Sequence, residues 1–371
     1  MATIEADLTW ESGGARHRDR LVMPEAALQA DAALIRARAV LESSGAAEID
    51  PSRWIAPVGL EPRLLPAAAF RLGVQPVAGR HYPRLAFTGL AEGSRDLRPC
   101  RLLASDAEGL RVDLNHPLAG RAVNLALRRV APDAARTRFV QLFDGPGMQV
   151  PPSNAAACYL PGGALARKDE TDDGGFYARP RLVHHLDAVC RTEIAWLYGR
   201  FLQSGMRLLD LMSSWVNHLP ETPVDLEVSG LGMNATELAA NARLDTRIVH
   251  DLNADPRLPF ADAAFDLVVC TASVEYLTRP QAVFAEVRRV LRPGGRFVLT
   301  FSDRWFPTKA IRVWAELHPF ERLGLVLWLL REAGFSDLHS ETLRGLKRPE
   351  DDPYLGERDY SDPLFAAWGT A

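Results

Sequence analysis

Between Leu182 and about Leu343 short apolar runs alternate with longer amphipathic stretches, and this alternation constrains the fold more than any other feature of the chain. LVHHLDAVCRTEIAWLYGRFL, from Leu182, carries apolar residues near i, i+3, i+4 and predicts a helix. RLLDLM predicts a short buried strand ending in Asp210, and DLEVSGLGMN a second strand with a helix start at Asn234. TRIVHDLN predicts a third strand ending at Asp251, and FDLVVCTAS a fourth. QAVFAEVRRVLRPGG predicts a helix stopped by Pro293-Gly294-Gly295, followed by a fifth strand in RFVLTFS. WLLREAGFSDLHSETL predicts a helix ending in Gly334 and a last strand. Strand, helix, strand in repeated order is the pattern of a doubly wound α/β sheet, whose ligand site lies at the carboxyl ends of the strands.

The first part of the chain has another texture. Pro24 followed by EAALQADAALIRARAVLESSG predicts a helix over 24–44, with Gly45 just past its end. From Trp54 to about Val130 short apolar runs broken by Gly and Pro predict a β-rich segment. Leu102 and Leu103, a turn over Ser105 to Gly109, then Leu110, Val112 and Leu114 form one predicted hairpin; Val123, Leu125 and Leu127 alternate as a further strand. The expected organisation is a β-rich domain over 1–143, a Gly/Pro/Asp-dense linker over 144–175, an α/β domain over 176–345 and an acidic, aromatic tail over 346–371.

A length of 371 residues suits two domains, and 47% hydrophobic with 24% charged residues excludes collagen, coiled coil and wholesale disorder. Only three of the 43 basic residues are Lys (Lys168, Lys309, Lys347). The many arginines are scattered and outnumbered by 47 acidic residues, which points to codon bias rather than a nucleic-acid surface. Cys100, Cys158, Cys190 and Cys270 stand far apart with no CxxC pair, so neither a metal site nor a disulfide framework is expected. No apolar leader or membrane-length run is present in the sequence, and the expectation is a cytoplasmic protein without membrane or nucleic-acid partners.

Asp251, Leu258-Pro259-Phe260, Phe265-Asp266, Glu286 and Arg289-Val290-Leu291-Arg292-Pro293-Gly294-Gly295 stand in the order and at the spacing of class I S-adenosylmethionine (SAM) dependent methyltransferases, and the stretch from Phe176 to Leu343 resembles the small-molecule, type 11 branch of that family. The resemblance implies a Rossmann-like methyltransferase sheet, SAM as cofactor, and an adenine site in which Asp251 accepts from the amino group while the Leu252 amide donates to a ring nitrogen. Asp251 as a plain strand-end cap is the structural alternative. Glu286 and Arg289, spaced i, i+3, suit an ion pair.

Two departures stand out. The family's first strand leads into an acid and G-x-G-x-G, whereas this chain reads Asp210-Leu211-Met212-Ser213-Ser214-Trp215-Val216. The family's ribose-binding acid falls near Gly232, where no carboxylate stands; the lost charge-assisted hydrogen bonds are worth roughly 1.5–3 kcal/mol each. Asn234, Glu237 and Asn217 are the candidate replacements. Ser213, Ser214, Asn217 and His218 put hydroxyls, an amide and an imidazole into the loop, a style similar to a group of divergent methyltransferase-like proteins of bacteria and plants. That group also resembles the upstream block carrying Tyr177, Arg179, Arg181, His184, His185 and Asp187.

The cofactor residues expected on this resemblance are Asp210, Met212, Ser213, Ser214, Asn217, Gly232, Asp251 and Leu252, with Arg179 or Arg181 taking the methionine carboxylate bidentately or else fixing the chain to its helix. Methyl transfer needs positioning, and a base only where the nucleophile carries a proton. His185, His218, Glu275 and Tyr276 are the candidates for that role. Arg304, Trp305, Phe306 and Lys309 follow the fifth strand, where the family forms its acceptor pockets, and are the candidates to shape one, with aromatic core packing as the structural alternative for Trp305 and Phe306; the acceptor, small molecule or protein, is not encoded in any of them.

VDLNHPLAGRAVNLALRRV (Val112 to Val130) resembles the last hairpin of FKBP-type peptidyl-prolyl isomerases of the SlyD-like group, and LPAAAFRLGVQPVAGRHY the approach to that group's inserted flap. Residues 1–60 do not match the first half of that fold, and Leu125 replaces a pocket aromatic, so the resemblance implies a partial FKBP-like module for binding. Three functions stand open: a SAM-dependent methyltransferase, a non-catalytic methyltransferase-like binding protein, and a prolyl isomerase.

Overall fold

The computed structural model describes residues 2–30, 32–55, 59–93, 96–137, 141–144, 154–221 and 225–371. Two compact units divide the chain: Met1–Gly162 with Glu316–Leu325 and Glu341–Lys347, and Gly163–Ala315 with Val326–Ser340 and Arg348–Ala371.

The N-terminal unit begins with two strands, β1 (Thr3–Ser12) and β2 (Ala15–Pro24), paired antiparallel from Thr3↔Pro24 to Ser12↔Ala15. Gly13 and Gly14 both take positive φ, as a two-residue hairpin turn requires. Ile4, Ala6, Leu8 and Trp10 alternate into the core on one face. Pro24 therefore ends a strand and does not open the expected helix over 24–44: a short 3-10 turn covers Glu25–Ala30, and helix α1 spans Ala32–Ser44, burying Leu34, Ala37 and Leu41. After α1 come β3 (Ala46–Ile49), β4 (Arg63–Leu65), β5 (His81–Pro83), β6 (Pro99–Asp106), β7 (Gly109–Asp113) and β8 (Val123–Val130), then two short helices, α2 (Gln141–Asp144) and α3 (Ala155–Tyr159). One sheet runs β2-β1-β8-β3 and a separate one β4-β7-β6-β5. The β6–β7 hairpin is the expected one, with its turn tightened to residues 107–108 by the Asp106↔Gly109 pair. Each sheet has its own apolar core, one around Leu8, Leu41 and Leu125, the other around Tyr82, Phe87 and Leu102.

The C-terminal unit opens within the expected linker: residues 145–153 lie outside the described residues, whereas α4 (Asp173–Tyr177) is capped by Asp172, and Asp173 is buried. Helix α5 spans Ala188–Gly199, shorter than the helix expected from Leu182, because Asp187 caps it by accepting the Cys190 N–H. Then follow β9 (Met206–Leu211), β10 (Leu226–Gly232), α6 (Ala235–Ala240) capped by Asn234, β11 (Thr246–Val249), β12 (Phe265–Thr271), α7 (Pro280–Val290), β13 (Leu291–Phe301), α8 (Arg312–Glu316), α9 (Pro319–Glu332), β14 (Ser336–Arg344) and β15 (Leu364–Thr370). The strand order β11-β10-β9-β12-β13-β15-β14 has parallel pairs from β11 to β13 and an antiparallel β13–β15 pair.

Two further expectations are corrected. Helix α7 ends at Val290, and Pro293-Gly294-Gly295 lies inside β13, where the register against β12 shifts. The tail is no appendage: Phe365 and Trp368 are buried in β15, between β13 and β14, while Tyr354 stays exposed. Before it, fully buried Arg348 binds Asp362 at 2.5 Å and Asp352 at 3.0 Å, and Ser361 donates to Asp187. Glu286 and Arg289 pair at 2.6 Å while Leu258 N–H donates to Glu286, so this pair ties a loop to α7.

Candidate functional site

Strands of a parallel sheet aim their C-terminal ends at one edge, and there the C-terminal unit holds a cavity of about 260 Å³, close to the small end of ligand-pocket sizes. Most of its walls come from strand ends. Asp210 near the end of β9 and the loop Met212–Val216 after it, Gly232 at the end of β10 with Met233, Asn234 and Glu237 after it, His250 to Asn253 after β11, Thr271 at the end of β12 with Ala272 and Ser273 after it, and Arg304, Trp305 and Phe306 after β13 all line it. Tyr177, Arg181 and Val183 to Leu186 close the cavity from the segment before α5.

The loop after β9 manages without glycine. Met212 takes φ +58, the left-handed conformation for which glycine is the cheap residue. Ser213 N–H donates to Leu231 O at 2.7 Å, and its hydroxyl donates to Asp210 at 2.5 Å. Burial pushes the Asp210 carboxyl up to about 7 against the pull of that hydrogen bond. The glycine that close approach demands stands on the neighbouring strand: a Cβ on Gly232 would lie 2.1 Å from the Ser213 carbonyl oxygen. No acidic side chain fits there without moving the loop.

Of the three candidate replacements for the ribose acid, one is spent as a helix cap and one lies outside the cavity. Asn234 donates to Tyr177 O and Ala178 O at 2.8 and 3.1 Å and accepts from Thr236 and Glu237 N–H as the cap of α6. Asn217 is buried, accepts from Leu219 N–H and stands outside the cavity wall. Glu237 faces the cavity, accepting from the Ser214 hydroxyl at 2.6 Å and from Arg181 N–H at 2.7 Å. A carboxylate has about four acceptor positions, so two remain. At the next strand, Asp251 accepts from Asn253 and Ala254 N–H at 2.8 and 3.2 Å, the strand-end turn foreseen as its structural role, and still lines the cavity with Leu252.

The opposite end is aromatic. Arg181 lies 4.5 Å from the Phe176 ring centroid and 5.5 Å from that of Phe306, and donates to Phe176 O, while its Nη1 is buried with no hydrogen-bond partner. His185 meets Phe306 edge-on at 5.2 Å, and His184 lies 4.6 Å from Trp215. Burial lowers the pKa of both imidazoles, and it pushes His218 in the loop down to about 4, so all three are neutral at pH 7. The Tyr276 hydroxyl accepts from Phe306 N–H at 2.8 Å.

Several expected site residues lie elsewhere. Arg179 is exposed and outside the cavity wall. Glu275 is buried and also outside it, the register of the 3-10 turn Val274–Tyr276 directing Tyr276 inward instead. Lys309 is fully buried against Asp169 and Asp173, at 3.2 and 3.1 Å, and donates to Thr171 O, so its charge is spent on the fold. Trp215, Met233 and His250 line the cavity without having been singled out; only their place next to strand ends could have signalled them. The four cysteines are free and buried, and among the described residues no group of three or more His, Cys, Asp or Glu could hold a metal ion. Among the same residues no helix is long and apolar enough to cross a membrane.

Residues 214–299 match the family model of the methyltransferase domain, and the C-terminal unit has a Rossmann-like order of parallel strands, β11-β10-β9-β12-β13. Among curated proteins, the ubiquinone/menaquinone biosynthesis C-methyltransferase UbiE of Roseobacter denitrificans is 34% identical over 141 residues, 36% of this chain and 52% of that protein. The 27-O-demethylrifamycin SV methyltransferase of Amycolatopsis mediterranei is 33% identical over 108 residues, 26% of this chain and 39% of that protein. The chain thus spans about half or less of these relatives' length. A solved structure of a SAM-dependent methyltransferase from Aquifex aeolicus aligns over 49% of this chain and 91% of its own, at 14% identity and a TM-score of 0.34.

Proposed function

We propose that the C-terminal unit is a SAM-dependent methyltransferase in which Glu237 replaces the ribose-binding acid of its family. The observation that carries this reading is the convergence of Glu237, Asp251-Leu252 and Arg181 on one cavity at the carboxyl edge of the sheet. The donor set suits the cofactor: Glu237 has acceptor positions left for the ribose hydroxyls, Asp251 and the Leu252 amide face the adenine end, and the unpartnered Nη1 of Arg181 suits the methionine carboxylate. Asp210, Met212, Ser213 and Ser214 line the cavity between them. When bound, SAM supplies an electrophilic methyl group. The chain's own part is to hold the acceptor in line and to exclude water with Trp215, Trp305 and Phe306, while neutral His185 accepts a proton where the acceptor must lose one.

Isothermal titration with S-adenosylhomocysteine at sub-millimolar concentration is the test. Wild-type protein is expected to bind, and Glu237→Gln to lose roughly 10- to 150-fold in affinity, the equivalent of about 1.5–3 kcal/mol. Arg181→Ala is expected to lose a similar factor. No heat with wild type would leave the second reading, a non-catalytic methyltransferase-like binding protein, which the strained Met212 at a glycine position favours. For the N-terminal unit we infer an FKBP-like binding module. Strands β4–β7 form their own sheet between β3 and β8 in sequence and include the stretch that resembles the approach to an inserted flap; Val112–Val130 is not the expected hairpin, because β7 and β8 lie in separate sheets and Asn115-His116-Pro117 only links them.

A further inference from the structure

The loop after β13 and the segment between β14 and β15 are bound together beside the cavity. Arg304 lines the cavity next to Trp305 and Phe306 and lies 4.3 Å from the Tyr354 ring centroid. Its nearest carboxylate, Asp362 Oδ1, is 3.9 Å away, beyond hydrogen-bond reach, and that oxygen already accepts from Arg348 at 2.5 Å. Next in the chain, Asp303 accepts from Arg358 Nη1 at 3.0 and 3.1 Å. The loop is thus pinned on one side by Arg358 and on the other by Tyr354. A guanidinium held over a ring keeps the donors in its own plane available, because the ring engages only its face.

The other carboxylates lining the cavity are engaged by their own partners, which leaves Arg304 with the long ion pair to Asp362. Asp173, which also lines the cavity, is paired with Arg167 at 2.7 Å and Lys309 at 3.1 Å. Glu237 and Asp251 stand at the β10 and β11 ends, each accepting hydrogen bonds from its own surroundings. The walls nearest Arg304 are flat and aromatic, with Phe306 packed against Tyr276 and His185.

We propose that Arg304 is the acceptor-selecting residue of this cavity, that it takes an acceptor with a planar apolar body and a carboxylate or comparable oxyanion, and that Tyr354 is its positioning residue. The assignment of this end to the acceptor rests on the methyltransferase reading, since Arg181 then serves the cofactor. The recognition of the anion by Arg304 does not.

The experiment titrates the full chain with 2-naphthoate and with neutral 2-naphthamide, each with and without saturating S-adenosylhomocysteine, following heat and tryptophan fluorescence. Naphthoate is expected to bind about tenfold tighter or more, the worth of one charge-assisted hydrogen bond. The preference is expected to vanish in Arg304→Gln and Arg304→Ala and to survive in part in Arg304→Lys. Tyr354→Ala is expected to weaken naphthoate several-fold while leaving naphthamide affinity and the thermal midpoint unchanged, which a merely structural role would not do. Binding of neither probe, equal affinities, or a preference that survives Arg304→Gln overturns the proposal. An Arg304-dependent preference in a protein that does not bind S-adenosylhomocysteine leaves the anion site standing and removes the methyltransferase reading. Cofactor binding without the preference does the reverse.

Discussion

Gly232→Ala isolates the contact on which the divergent loop depends. The added Cβ would stand 2.1 Å from Ser213 O and 3.1 Å from its carbonyl carbon, with Leu238 Cδ2 at 3.4 Å on another side. Carbon and oxygen in contact sit about 3.3 Å apart, so the Ser213 carbonyl must retreat by about 1 Å. That movement pulls on the 2.7 Å bond from Ser213 N–H to Leu231 O and on the 2.5 Å bond from its hydroxyl to buried Asp210. Overpacking costs roughly 1–3 kcal/mol and a buried polar group left unsatisfied roughly 1–3 more. At about 2–4 °C per kcal/mol, the midpoint of the C-terminal unit should fall on the order of 5–20 °C. Differential scanning calorimetry measures it, with Gly175→Ala as the control, because a Cβ there meets nothing within 4 Å. A Gly232→Ala midpoint within about 2 °C of wild type would refute the packing argument. On the methyltransferase reading proposed above, the same contact predicts that Gly232→Asp, which puts a carboxylate where the resemblance expects one, weakens rather than strengthens binding of S-adenosylhomocysteine.

Two further outcomes follow from particular groups. The Asp210 carboxyl, raised by burial to about 7, holds its proton in the folded protein while the unfolded chain releases it near pH 4. The folded state therefore binds the extra proton between those values, and stability relative to Asp210→Asn is expected to decline from about pH 4 to pH 7 and then level off; urea midpoints of both proteins across that range would contradict this by moving in parallel. For the N-terminal unit, a proline-peptide isomerisation assay is expected to show no acceleration over the uncatalysed rate, since Leu125 is buried in the core of the β2-β1-β8-β3 sheet. Turnover would make that unit an isomerase.

Much of the C-terminal unit was legible because its elements announce themselves locally. Apolar runs such as Phe265 to Thr271 are buried on both faces of a parallel strand and so read as continuous. Asn234 and Gly334 are end signals whose meaning depends on a few neighbouring residues. The β1–β2 hairpin escaped although Ile4, Ala6, Leu8 and Trp10 alternate. Its other face carries Glu5, Asp7, Arg18 and Arg20, whose charges are matched only across strands, as in Arg18–Asp7 at 2.7 Å and Arg128–Glu5 at 2.6 Å. Pro293-Gly294-Gly295 misled for a related reason: residues that break a helix also serve a strand that shifts register, and only the partner strand decides between them.

The sequence by itself determined the α/β order of the C-terminal unit, the resemblance from which an adenine role for Asp251 and Leu252 is expected, and the departure at Met212, Ser214 and Val216. Tertiary structure alone decided that β15 lies between β13 and β14, that Lys309 is spent inside the fold, and that Glu237 rather than Asn234 or Asn217 meets the cavity with acceptor positions left. The division has a physical cause. Periodicity and capping act over a turn or two of chain and leave their mark in neighbouring residues, whereas the hydrogen-bond commitments of a side chain depend on what distant segments bring beside it.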